Sequence, residues 1–293
     1  MKKIISLILA VMMLGSVACF ADSYSDSRVV IAADLSSSEI ETVYDYFDID
    51  RGDVKELTVT NADERQYLEG VVDESLIGSR AISCVYIEDL EEGEGLDVSV
   101  KNISWCTPDM YMSAMVTAGI TDANVKIAAP FEVSGTAALT GIYKAYEDIT
   151  GESLNEAAKE IGTQELTTTA ELADEIGSAD STAIVNELKL ILDETCKMSD
   201  EELRQQIIDI ANEYGVSLTE DQIAKLIDLC RSLEKLDVNQ LKEKVEQAQK
   251  YLMDMAHAKE GVQKFVSNLG DSVSHVVDAV ISFFQGLFQK IGI

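Results

Sequence analysis

The chain has 293 residues, 46% of them hydrophobic, enough for two domains of ordinary size and a substantial core. Its 53 acidic and 23 basic residues give a formal net charge of -30, a field that repels phosphate backbones and anionic lipid. That excludes nucleic acid as a partner, whereas divalent cations and basic proteins are attracted.

Residues 1–21 read as a cleaved export signal. Lys2 and Lys3 form a positive start, Ile4 to Val17 is an uncharged apolar run, and Cys19-Phe20-Ala21 ends on a small residue where a signal peptidase cuts. The run is too short to span a bilayer comfortably. A lipoprotein cut before Cys19 is the lesser reading, because Ser16 stands where such signals prefer a Leu-like residue. The expected location is therefore secreted or associated with the cell envelope.

Residues 28–150 alternate strand and helix signals. Val29-Val30-Ile31 is a short strand run, and Ser36 with Glu39 makes a capping box that opens a helix through Phe47. Val54 to Thr60 alternates as a strand, and Asn61 starts a helix that closes at Gly70. Ala81 to Glu88 and Leu96 to Trp105 are two β-rich runs joined by the turn-rich stretch 91–95, which predicts a hairpin. Thr107-Pro108 pairs an N-cap with proline at the first helical position, and that helix ends at Gly119. Val125 to Ala129 is a further strand, and Gly135 opens a helix to about Ile149. The expected class is α+β: a small mixed sheet with helices.

From Glu152 onward every signal is helical, giving an all-helical part over 151–238. Ser199 with Glu202 and Thr219 with Gln222 are two more capping boxes. Residues 239–293 carry a heptad-spaced apolar stripe and read as one long amphipathic helix. The stripe begins at Leu241, Val245 and Ala248. It widens near the C-terminus through Val276, Val277, Val280, Ile281, Phe283, Phe284, Leu287 and Phe288. That face is expected to self-associate, to pack on the protein itself or to touch a membrane or hydrophobic partner.

The run from Asn102 to Gly151, with Gly78 to Ser83 and Leu166 to Leu172, resembles the YpuA-like family of exported Gram-positive bacterial proteins, a family of unknown function. The block around Ser134-Gly135-Thr136-Ala137-Ala138-Leu139-Thr140-Gly141 is the most specific part, and the resemblance spans Asp34 to about Val238. It implies an export signal and an acidic two-part body. It supplies no catalytic residues.

Histidine catalysis has little support. His257 and His275 both fall on the terminal helical segment, about 27 Å apart if helical. No zinc-protease, P-loop or nucleophile-elbow motif occurs, and nothing in the residue pattern calls for a metal or a cofactor. Asp48 to Asp53 has alternating carboxylates but lacks the terminal acid of a calcium loop, and reads as a solvated turn. The four cysteines beyond the signal, Cys84, Cys106, Cys196 and Cys230, allow three pairings. Bridges Cys84–Cys106 and Cys196–Cys230 are the economical pairing, and free thiols the slightly favoured state.

One constellation stands out. Ser134, Gly135 and Thr136 precede an Ala-rich helix and can cradle a small anion on backbone N–H groups, with Arg80 as a nearby positive charge. The competing reading is an ordinary helix cap followed by tight packing. The sequence thus predicts an exported, acidic, non-catalytic protein that binds a protein or cell-envelope component. The alternative is an envelope hydrolase without a histidine-dependent site. A concave pocket gathering Ser134, Thr136, Arg80 and a carboxylate would favour an enzyme or small-ligand site.

Overall fold

The computed structural model describes residues 26–70 and 74–251. The expected export signal with Cys19, both histidines and the expected apolar face from Val276 to Phe288 lie outside the described residues.

Local signals set most of the elements in the first half. Strand β1 (Ser27–Ala32) leads into α1 (Ser37–Phe47), whose Ser36–Glu39 capping box is formed, and then β2 (Lys55–Val59). Helix α2 (Asn61–Leu68) is capped by Thr60 with Asp63, and a short turn of helix, α3 (Glu74–Ile77), follows. Strands β3 (Cys84–Asp89) and β4 (Leu96–Ile103) precede α4 (Pro108–Ala118), which Thr107 caps and Gly119 ends at φ 104°. Strand β5 (Ala123–Val133) then leads to α5 (Thr136–Thr150).

The five strands form one mixed sheet in the order β2-β1-β3-β5-β4. Strands β1 and β2 are parallel across α1, β4 and β5 are parallel across α4, and β3 runs antiparallel to both β1 and β5. The expected hairpin between β3 and β4 does not form. Strand β5 lies between them, pairing Cys84 with Ala128 on one side and Val98 with Val125 on the other. Its Ala123, Val125 and Ile127 alternate into the core from a central position, and β4 is left as an edge.

Helix α5 covers one face of the sheet over β1, β2 and β3, and α1 covers the other. Along β3 the side chains alternate accordingly. Val85 meets α5, where a Cβ on Gly141 would lie 3.4 Å from both Val30 and Val85. Tyr86 points the other way, with its ring 6.3 Å from Phe47 of α1.

The helical half comprises α6 (Glu156–Ile176), α7 (Ser178–Leu190), the short α8 (Leu192–Thr195), α9 (Asp200–Glu213) and α10 (Glu220–Leu233). Both predicted capping boxes, at Ser199 and Thr219, are present. Helix α4 of the first half packs on α6, so the buried apolar side chains form one contiguous cluster from Val29 to Val245. A last helix begins at 238 and is described to 251. The first heptad positions, Leu241 and Val245, are buried against the protein's own body. Its end docks where a Cβ on Gly95 would collide with the Tyr251 ring. Among the described residues, no helix is long and apolar enough to cross a membrane.

All four cysteines among the described residues are free: Cys84, Cys106 and Cys230 are buried and Cys196 is exposed. With β5 inserted between β3 and β4, the hairpin that made a Cys84–Cys106 bridge attractive is absent.

Candidate functional site

The turn between β5 and α5 is held from three directions. Backbone N–H groups of Ser104 and Cys106 donate to the carbonyls of Val133 and Ser134, at 2.9 and 3.2 Å. The Tyr111 hydroxyl, on α4, donates to the Gly135 carbonyl at 2.6 Å. Gly135 itself caps α5 at φ 100°, and a Cβ there would run into Tyr111 and Ile103, so only glycine fits.

Opposite this turn stands the loop that follows α3. Arg65 of α2 braces it, donating to both carboxylate oxygens of Glu74 and, at 2.8 Å, to the Gly78 carbonyl. Arg80 donates to the Asp34 carbonyl at 2.6 Å, and the Ala81 N–H donates to the Asp34 carboxylate at 2.8 Å. Turn and loop enclose a cleft of about 200 Å³. Its lining brings together all four residues singled out in the sequence, Arg80, Ser134, Gly135 and Thr136.

The cleft also contains a residue that sequence reasoning missed. Glu64, in the first turns of α2, is 1% exposed and lines the same cleft. The Thr136 hydroxyl donates to its Oε1 at 2.5 Å, and the Asn61 amide donates to its Oε2 at 3.4 Å. Burial pushes the Glu64 carboxyl up to about 7, against the pull of the Thr136 and Asn61 hydrogen bonds and the charge of Arg65. Leu68, four residues on and buried, lies on the same face of α2, and that spacing was the available signal.

Glu64 changes what the cleft can hold. The start of α5, read from sequence as an anion cradle, already faces the chain's own carboxylate. A free anion entering there would require Glu64 to be protonated. The opposite charges instead sit on two walls: Arg80 exposed on one, Glu64 buried on the other. Beneath lie Cys106 and Tyr111, both driven upward by burial, the thiol to about 12 and the phenol well above its ordinary value. At neutral pH the Cys106 sulfur is a thiol, not a nucleophile.

The fold and cleft define an α+β protein whose mixed sheet and helical half share one core, with a polar cleft over a buried acid. By sequence the chain belongs to the family described as protein of unknown function (DUF1002), whose model matches residues 31–251. It is 34% identical to an uncharacterized protein, YpuA, of Bacillus subtilis (strain 168), over 97% of this chain and all of that one. The family match extends past the part recognised in sequence, into the helix that begins at 238. No solved structure matches it.

Proposed function

We propose that this protein acts outside the cytoplasm as a non-catalytic binding protein whose cleft takes the free end of a peptide, on a protein or a cell-envelope component. One observation carries this reading: Arg80 and Glu64, opposite in charge, line a single small cleft with the hydroxyl-bearing Ser83, Ser134 and Thr136. A terminal carboxylate pairs with the guanidinium, and an ammonium or amide N–H with the glutamate. The export reading of residues 1–21 supports the location.

The test is calorimetric titration of the mature chain with glycylglycine. Binding is expected to tighten as pH rises through about 7, where Glu64 ionises, and to fall at least tenfold in Arg80→Gln and in Glu64→Gln. Absence of saturable heat, or equal binding by both variants, refutes the reading. A buried acid that titrates near neutrality is also what a general acid–base catalyst requires. Steady cleavage of a peptide by pure protein, lost in Glu64→Gln, would establish the hydrolase instead.

A further inference from the structure

A second cavity lies on the far side of α4, between that helix, α7 and the helix that begins at 238. Its walls are apolar: Leu96, Met112, Val116, Val245 and Ala248. Its floor is polar and comes from one face of α7, where Thr182, Asn186 and Lys189 recur at helical spacing. Two of these floor groups, Asn186 and Lys189, are already engaged through Ser113 of α4. Lys189 is fully buried and donates to Glu165 at 2.9 Å and to the Ser113 carbonyl and hydroxyl at 3.0 Å. The Ser113 hydroxyl also reaches the Asn186 side-chain amide at 2.7 Å.

Thr182 is the exception. It is 2% exposed, and among the described residues its hydroxyl is the buried side-chain group without a hydrogen-bond partner. An orphaned buried hydroxyl is costly, and valine would fill the same volume without the cost. Its retention on the wall of a cavity points to a guest that completes it. The enclosed space is about 50 Å³, room for about four water-sized groups.

We propose that this cavity is a binding site for a small neutral amphiphile with a hydroxyl head. The head meets Thr182 and the free end of the Asn186 amide, and the chain lies among Leu96, Met112 and Val245. Charged heads are excluded. All three protons of the Lys189 ammonium are already used, so an anion gains no partner there. It would also meet the Asp109 carboxylate in the lining, with Glu165 already bound to Lys189 behind it. A cation would face the buried Lys189. Because Val245 and Ala248 come from the last described helix, guest binding and docking of that helix stabilise each other.

The probe is 1-propanol, titrated into the full mature chain and followed by methyl NMR. Saturable shifts at the Thr182, Ala183 and Val245 methyls are expected, with propionate giving none. Thr182→Val should weaken the response at least fivefold while the unliganded protein melts no lower. Ala248→Leu, which fills the mouth and leaves Thr182 in place, should abolish it. The proposal is overturned if 1-propanol gives no saturable shift, if Thr182→Val binds it equally well, or if propionate matches it.

Discussion

Replacing Glu64 with glutamine tests the electrostatics of the cleft most directly. Glutamine keeps the shape and can still accept from the Thr136 hydroxyl, but it cannot ionise. In the folded protein the Glu64 carboxyl titrates at about 7, against an ordinary value of 4.5. The native state therefore holds a proton that the unfolded chain has released anywhere between those values. Native stability supplied by Glu64 is complete below 4.5, falls as pH rises, and is lost above about 7. At about 1.4 kcal/mol per decade the loss amounts to about 3 kcal/mol. Glutamine has no such term, so the stability of the variant relative to wild type should climb by about 3 kcal/mol between pH 4.5 and pH 8. Urea unfolding across that range would show the two midpoints separating by about 1 M. A difference that stays flat with pH, or that moves in favour of the wild type at high pH, would refute the claim that Glu64 is buried against its charge.

Lys189→Met should cost about 3–5 kcal/mol, because it strands the Glu165 carboxylate, whose residue is 0% exposed. The double variant Lys189→Met, Glu165→Leu should recover most of that loss, and chemical denaturation of both measures it. Gly162→Ala should cost about 1–3 kcal/mol, since the new methyl would lie 2.8 Å from the Ala114 carbonyl oxygen and from the Tyr143 hydroxyl. Thermal unfolding at fixed pH reads that loss.

Helix boundaries were legible because the chain writes them in short-range chemistry. Ser36–Glu39, Thr107-Pro108, Ser199–Glu202 and Thr219–Gln222 each satisfy orphan N–H groups from within four residues. Strand order was not, because pairing is decided at long range. The stretch 91–95 contains glycines and charges enough for a hairpin, yet β5 displaces β4 from β3. There, Asp122 ties the 91–95 loop back instead, accepting from the Gly93 and Gly95 N–H groups at 2.8 Å. The cleft residues Ser134, Gly135 and Thr136 could be picked out because they open an Ala-rich helix, and Arg80 because it is a rare positive charge beside Gly78. Glu64 was harder to single out: it is one acid among 53, and its only mark is the i, i+4 spacing to the buried Leu68. Lys189 had a fainter signal. It stands four residues after Val185 and three before Leu192, where it alone breaks an apolar i, i+4, i+7 spacing.

The insertion of β5 also dictates when the sheet can close. Strand β3 offers one of its edges to nothing earlier in the chain, and β4 has no partner until residues 123–133 are present. A polypeptide emerging from its N-terminus thus reaches position 133 before its sheet is complete, and the core shared with α6 waits longer still.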